Sequence, residues 1–139
     1  MRTSNAKAEW NGVLKSGTGK MLLGEIPFPF SFNSRMEGGK GSSPEEMLAA
    51  ALAGCYSMAL SGDLEKAGFP AQQVLSSATA NFDNGSGKWT VEFIDLVVQA
   101  NVPGIDEAKF QEIANGTKSA CPVARALAAV KINLRAKLV

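Results

Sequence analysis

The chain contains no histidine, and that one absence removes several chemistries. A Ser-His-Asp triad and a Cys-His pair both use imidazole as the base. A zinc site needs about four strong nitrogen or sulfur ligands, which two cysteines without histidine cannot supply within one chain. No glycine-rich dinucleotide fingerprint follows a strand, and there is no Walker-type phosphate loop. Basic runs are missing too: 14 lysines and arginines are scattered among 13 acidic residues, for a net charge of +1. That balance carries no nucleic-acid footprint. The N-terminus, MRTSNAKAEW, lacks the apolar stretch of a signal peptide. Met47 to Leu60, the longest apolar run, is too short for a bilayer span. The expectation is a cytoplasmic protein without membrane or nucleic-acid partners. In that reducing compartment two cysteines are read as free thiols or a redox pair, not as a structural staple.

What is present describes a globular chain, 45% hydrophobic and 19% charged over 139 residues. One domain, 1–139, is long enough to bury a core without metals or disulfides. Ala6 to Leu14 and Lys20 to Gly24 read as strands around Ser16-Gly17-Thr18-Gly19. Ile26 to Asn33 is extended, since Pro27 and Pro29 forbid helix. Ser34 to Ser42 reads as a glycine-rich loop holding Arg35. A long helix then begins with Ser43 as cap, Pro44 at the first position and Glu46 completing a capping box. It ends near Ala67, before Gly68. Being apolar all round from Met47 to Leu60, it is expected to be buried on all sides.

Val74 to Asp83 and Lys88 to Val102 form a hairpin around Asn84-Gly85-Ser86-Gly87, with a bulge expected near Ile94-Asp95. Asp106 caps a further helix, which Asn115-Gly116 is placed to kink. Pro122 to Leu127 makes a short one. In the closing strand Val130, Ile132, Leu134, Ala136 and Leu138 face one way. Strands and helices are grouped and do not alternate, which predicts an α+β fold with antiparallel sheet.

Without histidine, any nucleophile needs another source of activation. Cys55 lies mid-helix among apolar residues, where a cysteine is commonly an inert core residue. Burial alone would raise its pKa, so reactivity requires a cation. Cys121 stands at a helix start, where free N–H groups favour a thiolate, and local sequence ranks it the more reactive thiol. Arg35 and Arg125 are the candidate cations, since guanidinium is always charged. Glu45 has two readings: plain compensation of the helix dipole, or a bidentate partner that orients an arginine.

The stretch GGKGSSPEEMLAAALAGCYSMALS, Gly38 to Ser61, resembles the signature of the OsmC/Ohr family, closer to its OsmC branch. Ala120-Cys121-Pro122-Val123 resembles the second cysteine motif of that family. PFSFNSRMEGGKG and the closing VKINLRAKLV fit as well, so the resemblance covers nearly the whole chain. It implies an intertwined α+β homodimer, with antiparallel sheets around a long central helix and a site at each subunit interface. It implies a thiol peroxidase that reduces organic hydroperoxides, with Cys55 peroxidatic and Cys121 resolving. Arg35 would stabilise the thiolate, Glu45 would hold Arg35, and an external dithiol would reopen the disulfide. No metal or organic cofactor is implied. Two rival readings remain: a non-catalytic hydrophobic-ligand or interaction protein on the same fold, and a stoichiometric redox sensor. One departure from the family pattern is Ser43, where asparagine is usual; both residues cap helices well.

Overall fold

A computed structural model describes all residues, Met1 to Val139, as two compact units, Met1–Met47 and Leu48–Val139. In the first unit β1 (Ala6–Asn11), β2 (Thr18–Leu23) and β3 (Ile26–Ser31) form an antiparallel meander. Pro27 and Pro29 are tolerated because β3 is an edge strand, where a missing N–H breaks no ladder bond. Trp10, Gly19 and Phe30 lie in one row across the three strands, with the two rings 5.5 Å apart. A Cβ on Gly19 would come within 2.8 Å of atoms of both rings, so glycine is what lets them approach.

The segment after β3 departs from the sequence reading. Phe32–Met36 forms a short helix, α1, where extended chain and then loop are expected. A reciprocal cap drives it: Ser34 N–H donates to Ser31 Oγ at 3.0 Å, and Ser31 N–H donates to Ser34 Oγ at 2.8 Å. Serine fills the position where the capping-box pattern has glutamate or glutamine, so the motif is easily passed over.

The long helix α2 spans Pro44–Lys66 and starts as read. Ser43 N–H donates to Glu46 at 2.8 Å, and Glu46 N–H donates to Ser43 Oγ at 3.2 Å. Gly68, with φ of +89°, lies just past its end. The expectation of burial on every side needs correcting for the single chain. Leu52, Tyr56, Leu60 and Leu64, four residues apart, form the fully buried stripe. On the other side Leu48 is 39% and Met58 77% exposed, although the helix is apolar there too. At 23 residues α2 is also long and apolar enough to cross a bilayer, unlike the shorter run read from the sequence. Here its stripe is committed to a sheet.

That sheet, in the second unit, holds β4 (Gln73–Asp83), β5 (Thr90–Asn101) and β6 (Lys131–Leu138), in that order. β4 and β5 pair antiparallel. β6 lies parallel to β5, so the all-antiparallel expectation fails for this one pair. Parallel neighbours need a crossover, and α3 (Glu107–Ala120) with α4 (Pro122–Ala126) provides it. The bulge falls two residues before its expected place. Asn81 pairs Phe93 and Phe82 pairs Val91, which leaves Glu92 as the extra residue. Ile94, Leu96, Val98 and Ala100 turn the core face of β5 toward the α2 stripe, and Phe110 and Ala114 of α3 join the same cluster. Each such large side chain, fully buried, contributes about 1.5–3 kcal/mol. Near the hairpin tip Phe82 stacks on Trp89 at 5.0 Å.

Candidate active site

Cys55 sits half-buried in the middle of α2, directly before Tyr56 of the core stripe. Cys121 closes α3 and opens α4, and only 1% of it is exposed. Its thiol donates to the Cys55 sulfur across 3.0 Å. The two sulfurs are unbonded, about 1 Å further apart than a disulfide of about 2.05 Å.

This geometry works against the thiolate that local sequence favours at Cys121. Burial pushes the Cys121 thiol above its usual pKa, and its hydrogen bond to Cys55 adds to that. The N–H groups of Ala124 and Val123 pull the other way and are outweighed. A helix of five residues offers too little to offset desolvation. Cys121 therefore holds its proton more tightly than an ordinary thiol.

Three side chains that sequence reasoning does not single out tie α2 to the part of α3 that leads to Cys121. Tyr56 donates its hydroxyl to the Ala114 carbonyl at 2.9 Å. Burial raises its phenol far above the ordinary value, with Cys121 and Asp63 adding to the shift. Thr117, 1% exposed, donates to the Asp63 carboxylate at 2.7 Å. Asp63 also meets Lys66 at 3.6 Å. Cys121 N–H donates to the Thr117 carbonyl at 2.8 Å. The one signal in the sequence was Asp63 itself, the first acid after a long apolar helical run.

Arg35 and Glu45 meet within the first unit. The guanidinium places Nη2 2.6 Å from Oε1, with Nε 3.2 Å from both carboxylate oxygens. Arg35 stands on α1 rather than in a loop, and Glu45 lies in the first turn of α2. Glu46 is occupied by the capping box, which leaves Glu45 for the arginine. The hydrogen bond to Glu45 raises the Arg35 pKa further, and partial burial opposes this only in part. The approach of the chain to α2 is also tied down. Ser42 N–H donates to the Pro29 carbonyl at 2.8 Å, and Ser34 Oγ donates to the Ser42 carbonyl at 2.9 Å. Gly41 between them takes φ of +128°, a conformation that favours glycine. Arg125, the other candidate cation, is exposed on α4.

The model of the family described as OsmC-like protein matches residues 37–135. The chain is 38% identical over 128 residues to peroxiredoxin OsmC of Escherichia coli, covering 88% of each chain. It is 25% identical over 126 residues to the uncharacterized protein YmaD of Bacillus subtilis, covering 87% of this chain and 83% of that one. Among solved structures, an OsmC-like protein from Mycoplasma pneumoniae superposes with a TM-score of 0.78 at 18% identity, covering 99% and 98% of the two chains. The organic hydroperoxide resistance protein OhrB of Bacillus subtilis superposes with a TM-score of 0.65 at 23% identity, covering 96% and 98%.

Proposed function

Because the chain belongs to the OsmC-like protein family, we propose that it is a cysteine-based peroxidase that reduces organic hydroperoxides to alcohols. The observation that carries this reading is the 3.0 Å approach of the Cys121 and Cys55 sulfurs. That distance supports a cycle in which one sulfur is the nucleophile and the other resolves it.

In the proposed cycle the Cys55 thiolate attacks one oxygen of the O–O bond. That bond breaks, the alkoxide leaves and takes a proton, and Cys55 becomes a sulfenic acid. Arg35 is assigned the stabilisation of the thiolate and then of the departing oxygen, and Glu45 the orientation of Arg35. Cys121 attacks the sulfenic sulfur, water leaves, and a Cys55–Cys121 disulfide forms. An external dithiol reopens it by exchange. Apolar surroundings favour an alkyl or fatty-acid hydroperoxide over hydrogen peroxide. No cofactor takes part.

The chain works in the cytoplasm as a homodimer in this reading. The apolar face of α2 that carries Leu48, Gly54 and Met58 supplies the contact with a second copy, with the sites at the interface. Single-turnover oxidation of the reduced protein by an alkyl hydroperoxide, beside hydrogen peroxide, tests the assignment. Fast, alkyl-selective loss of two thiols supports it. Slow loss without selectivity overturns it.

A further inference from the structure

We propose that Thr117 and Asp63 are positioning residues of disulfide closure: their hydrogen bond holds the last turn of α3 so that Cys121 meets Cys55. The role in the peroxide cycle rests on the function proposed above. The geometry also applies to any closure between these two sulfurs.

The last part of α3 reads Ala114-Asn115-Gly116-Thr117-Lys118-Ser119-Ala120. Glycine inside a helix costs about 1 kcal/mol relative to alanine, and asparagine, threonine and serine are mediocre formers. The sequence alone places a kink here, yet α3 runs unbroken to Ala120. Two hydrogen bonds to α2 stand where local propensity is weak. Tyr56 grips the Ala114 carbonyl, and one turn later Asp63 grips the Thr117 hydroxyl. A helical threonine commonly turns its hydroxyl back onto the carbonyl four residues earlier. Thr117 instead reaches 54 residues back along the chain to another helix. Its carbonyl then receives the Cys121 N–H, the last bond before the backbone leaves the helix at φ −54° and ψ 123°. The direction of the Cys121 side chain therefore follows the placement of the Thr117 turn. A misplacement of about 1 Å can cost about a hundredfold in a step of this kind.

The test compares Thr117→Val, which keeps the shape and loses the donor, with Thr117→Ser, which keeps the donor. Closure is timed in two ways. In the first, an alkyl hydroperoxide makes the Cys55 sulfenic acid, and loss of the Cys121 thiol is followed. In the second, Cys55 carries glutathione as a mixed disulfide. Cys121 attacks the Cys55 sulfur, the bond to glutathione breaks, and glutathione thiolate is released and counted. The second route needs no hydroperoxide. We expect Thr117→Val to slow closure about tenfold by both routes. The initial oxidation of Cys55 should be unchanged, overoxidised Cys55 should rise, and Thr117→Ser should close near the wild-type rate. Closure in Thr117→Val as fast as in the wild type overturns the proposal, and so does Thr117→Ser as slow as Thr117→Val. If the wild type ignores hydroperoxide but Thr117→Val still slows glutathione release, positioning stands and the peroxidase reading falls. Should Thr117→Val fail to fold, Asp63→Ala is read in the same two assays. Slow closure supports positioning, and wild-type closure overturns it.

Discussion

Cys121 gives its thiol hydrogen to Cys55 across 3.0 Å, although the two stand 66 residues apart in the chain. Burial and that bond both keep the proton on Cys121, and the proposed cycle gives the nucleophile's role to Cys55. Replacement of Cys55 by serine should abolish turnover of alkyl hydroperoxides. Replacement of Cys121 by serine should leave the first turnover intact and let oxidised Cys55 accumulate. Mass spectrometry of intact protein after one equivalent of hydroperoxide reads both outcomes, and sustained turnover by Cys55→Ser would sink the assignment.

The Arg35–Glu45 pair predicts a different pattern. Arg35→Lys keeps a positive charge but loses the planar fork that matches a carboxylate. Glu45→Gln keeps hydrogen-bonding capacity but loses the charge that fixes the guanidinium. Each should lower kcat/KM for an alkyl hydroperoxide by about tenfold or more, the order of magnitude expected when a preorganised charge is lost from a site. The melting temperature of Arg35→Lys should move little, because Arg35 is 39% exposed and lysine keeps a positive charge beside Glu45. Unchanged kinetics in both variants would remove the pair from the catalytic account.

Alkaline pH should weaken the fold. The Cys121 thiol and the Tyr56 phenol both have folded-state pKa values raised by burial. A raised acid keeps its proton in the native state after the unfolded chain has lost its own, so the unfolded state binds fewer protons and stability falls as pH rises. The contribution is complete below the unfolded pKa values, about 8.5 for cysteine and about 10 for tyrosine, and is lost above them. Urea midpoints at pH 7 and pH 10 should differ in that direction, and Tyr56→Phe should flatten the difference. Disulfide closure should show the opposite slope, its rate still rising above the ordinary thiol range as the folded-state Cys121 ionises.

Leu60 is fully buried in the stripe that α2 lays on β5. Leu60→Ala should destabilise the fold by about 2–5 kcal/mol through lost transfer energy and the cavity left behind. Equilibrium urea unfolding checks this, with an unchanged m-value expected.

The opposite face of α2 predicts an oligomer. Met58, 77% exposed on an apolar face, should tolerate lysine only at the expense of self-association. Sedimentation should give a dimer for the wild type and a monomer for Met58→Lys. A monomeric wild type would remove the second copy from the proposal.

Local rules made much of the fold legible. Ser43, Pro44 and Glu46 announced the start of α2, and both bonds of the capping box are present. Asp106 announced α3, and its side chain receives the Lys109 N–H at 2.8 Å. The strict alternation of β6 put Ile132, Leu134, Ala136 and Leu138 against the core. What escaped depended on partners distant in sequence. Nothing in β6 itself distinguishes a parallel from an antiparallel neighbour. Apolar residues all round α2 say only that water is unwelcome, not which face a single chain covers. The pairing of Arg35 with Glu45 was one of two readings that the residues left open for Glu45, the one favoured by the family resemblance, and the hydrogen bonds decide for it. The raised pKa of Cys121 was not legible, since local sequence shows the N–H groups near it but not the burial that outweighs them. Thr117 and Asp63 are unremarkable one at a time and meet only through the packing of α2 on α3.

The two aromatic pairs described above also divide the chain optically. There are two tryptophans, one in each compact unit: Trp10 beside Phe30, and Trp89 stacked on Phe82. Each sits against a ring of its own unit, so its emission depends on the local order of that unit. Replacing either tryptophan by phenylalanine leaves a fluorophore that reports a single sheet. Two such proteins, unfolded side by side, would show whether the meander and the cysteine-bearing unit melt as one cooperative body or in succession.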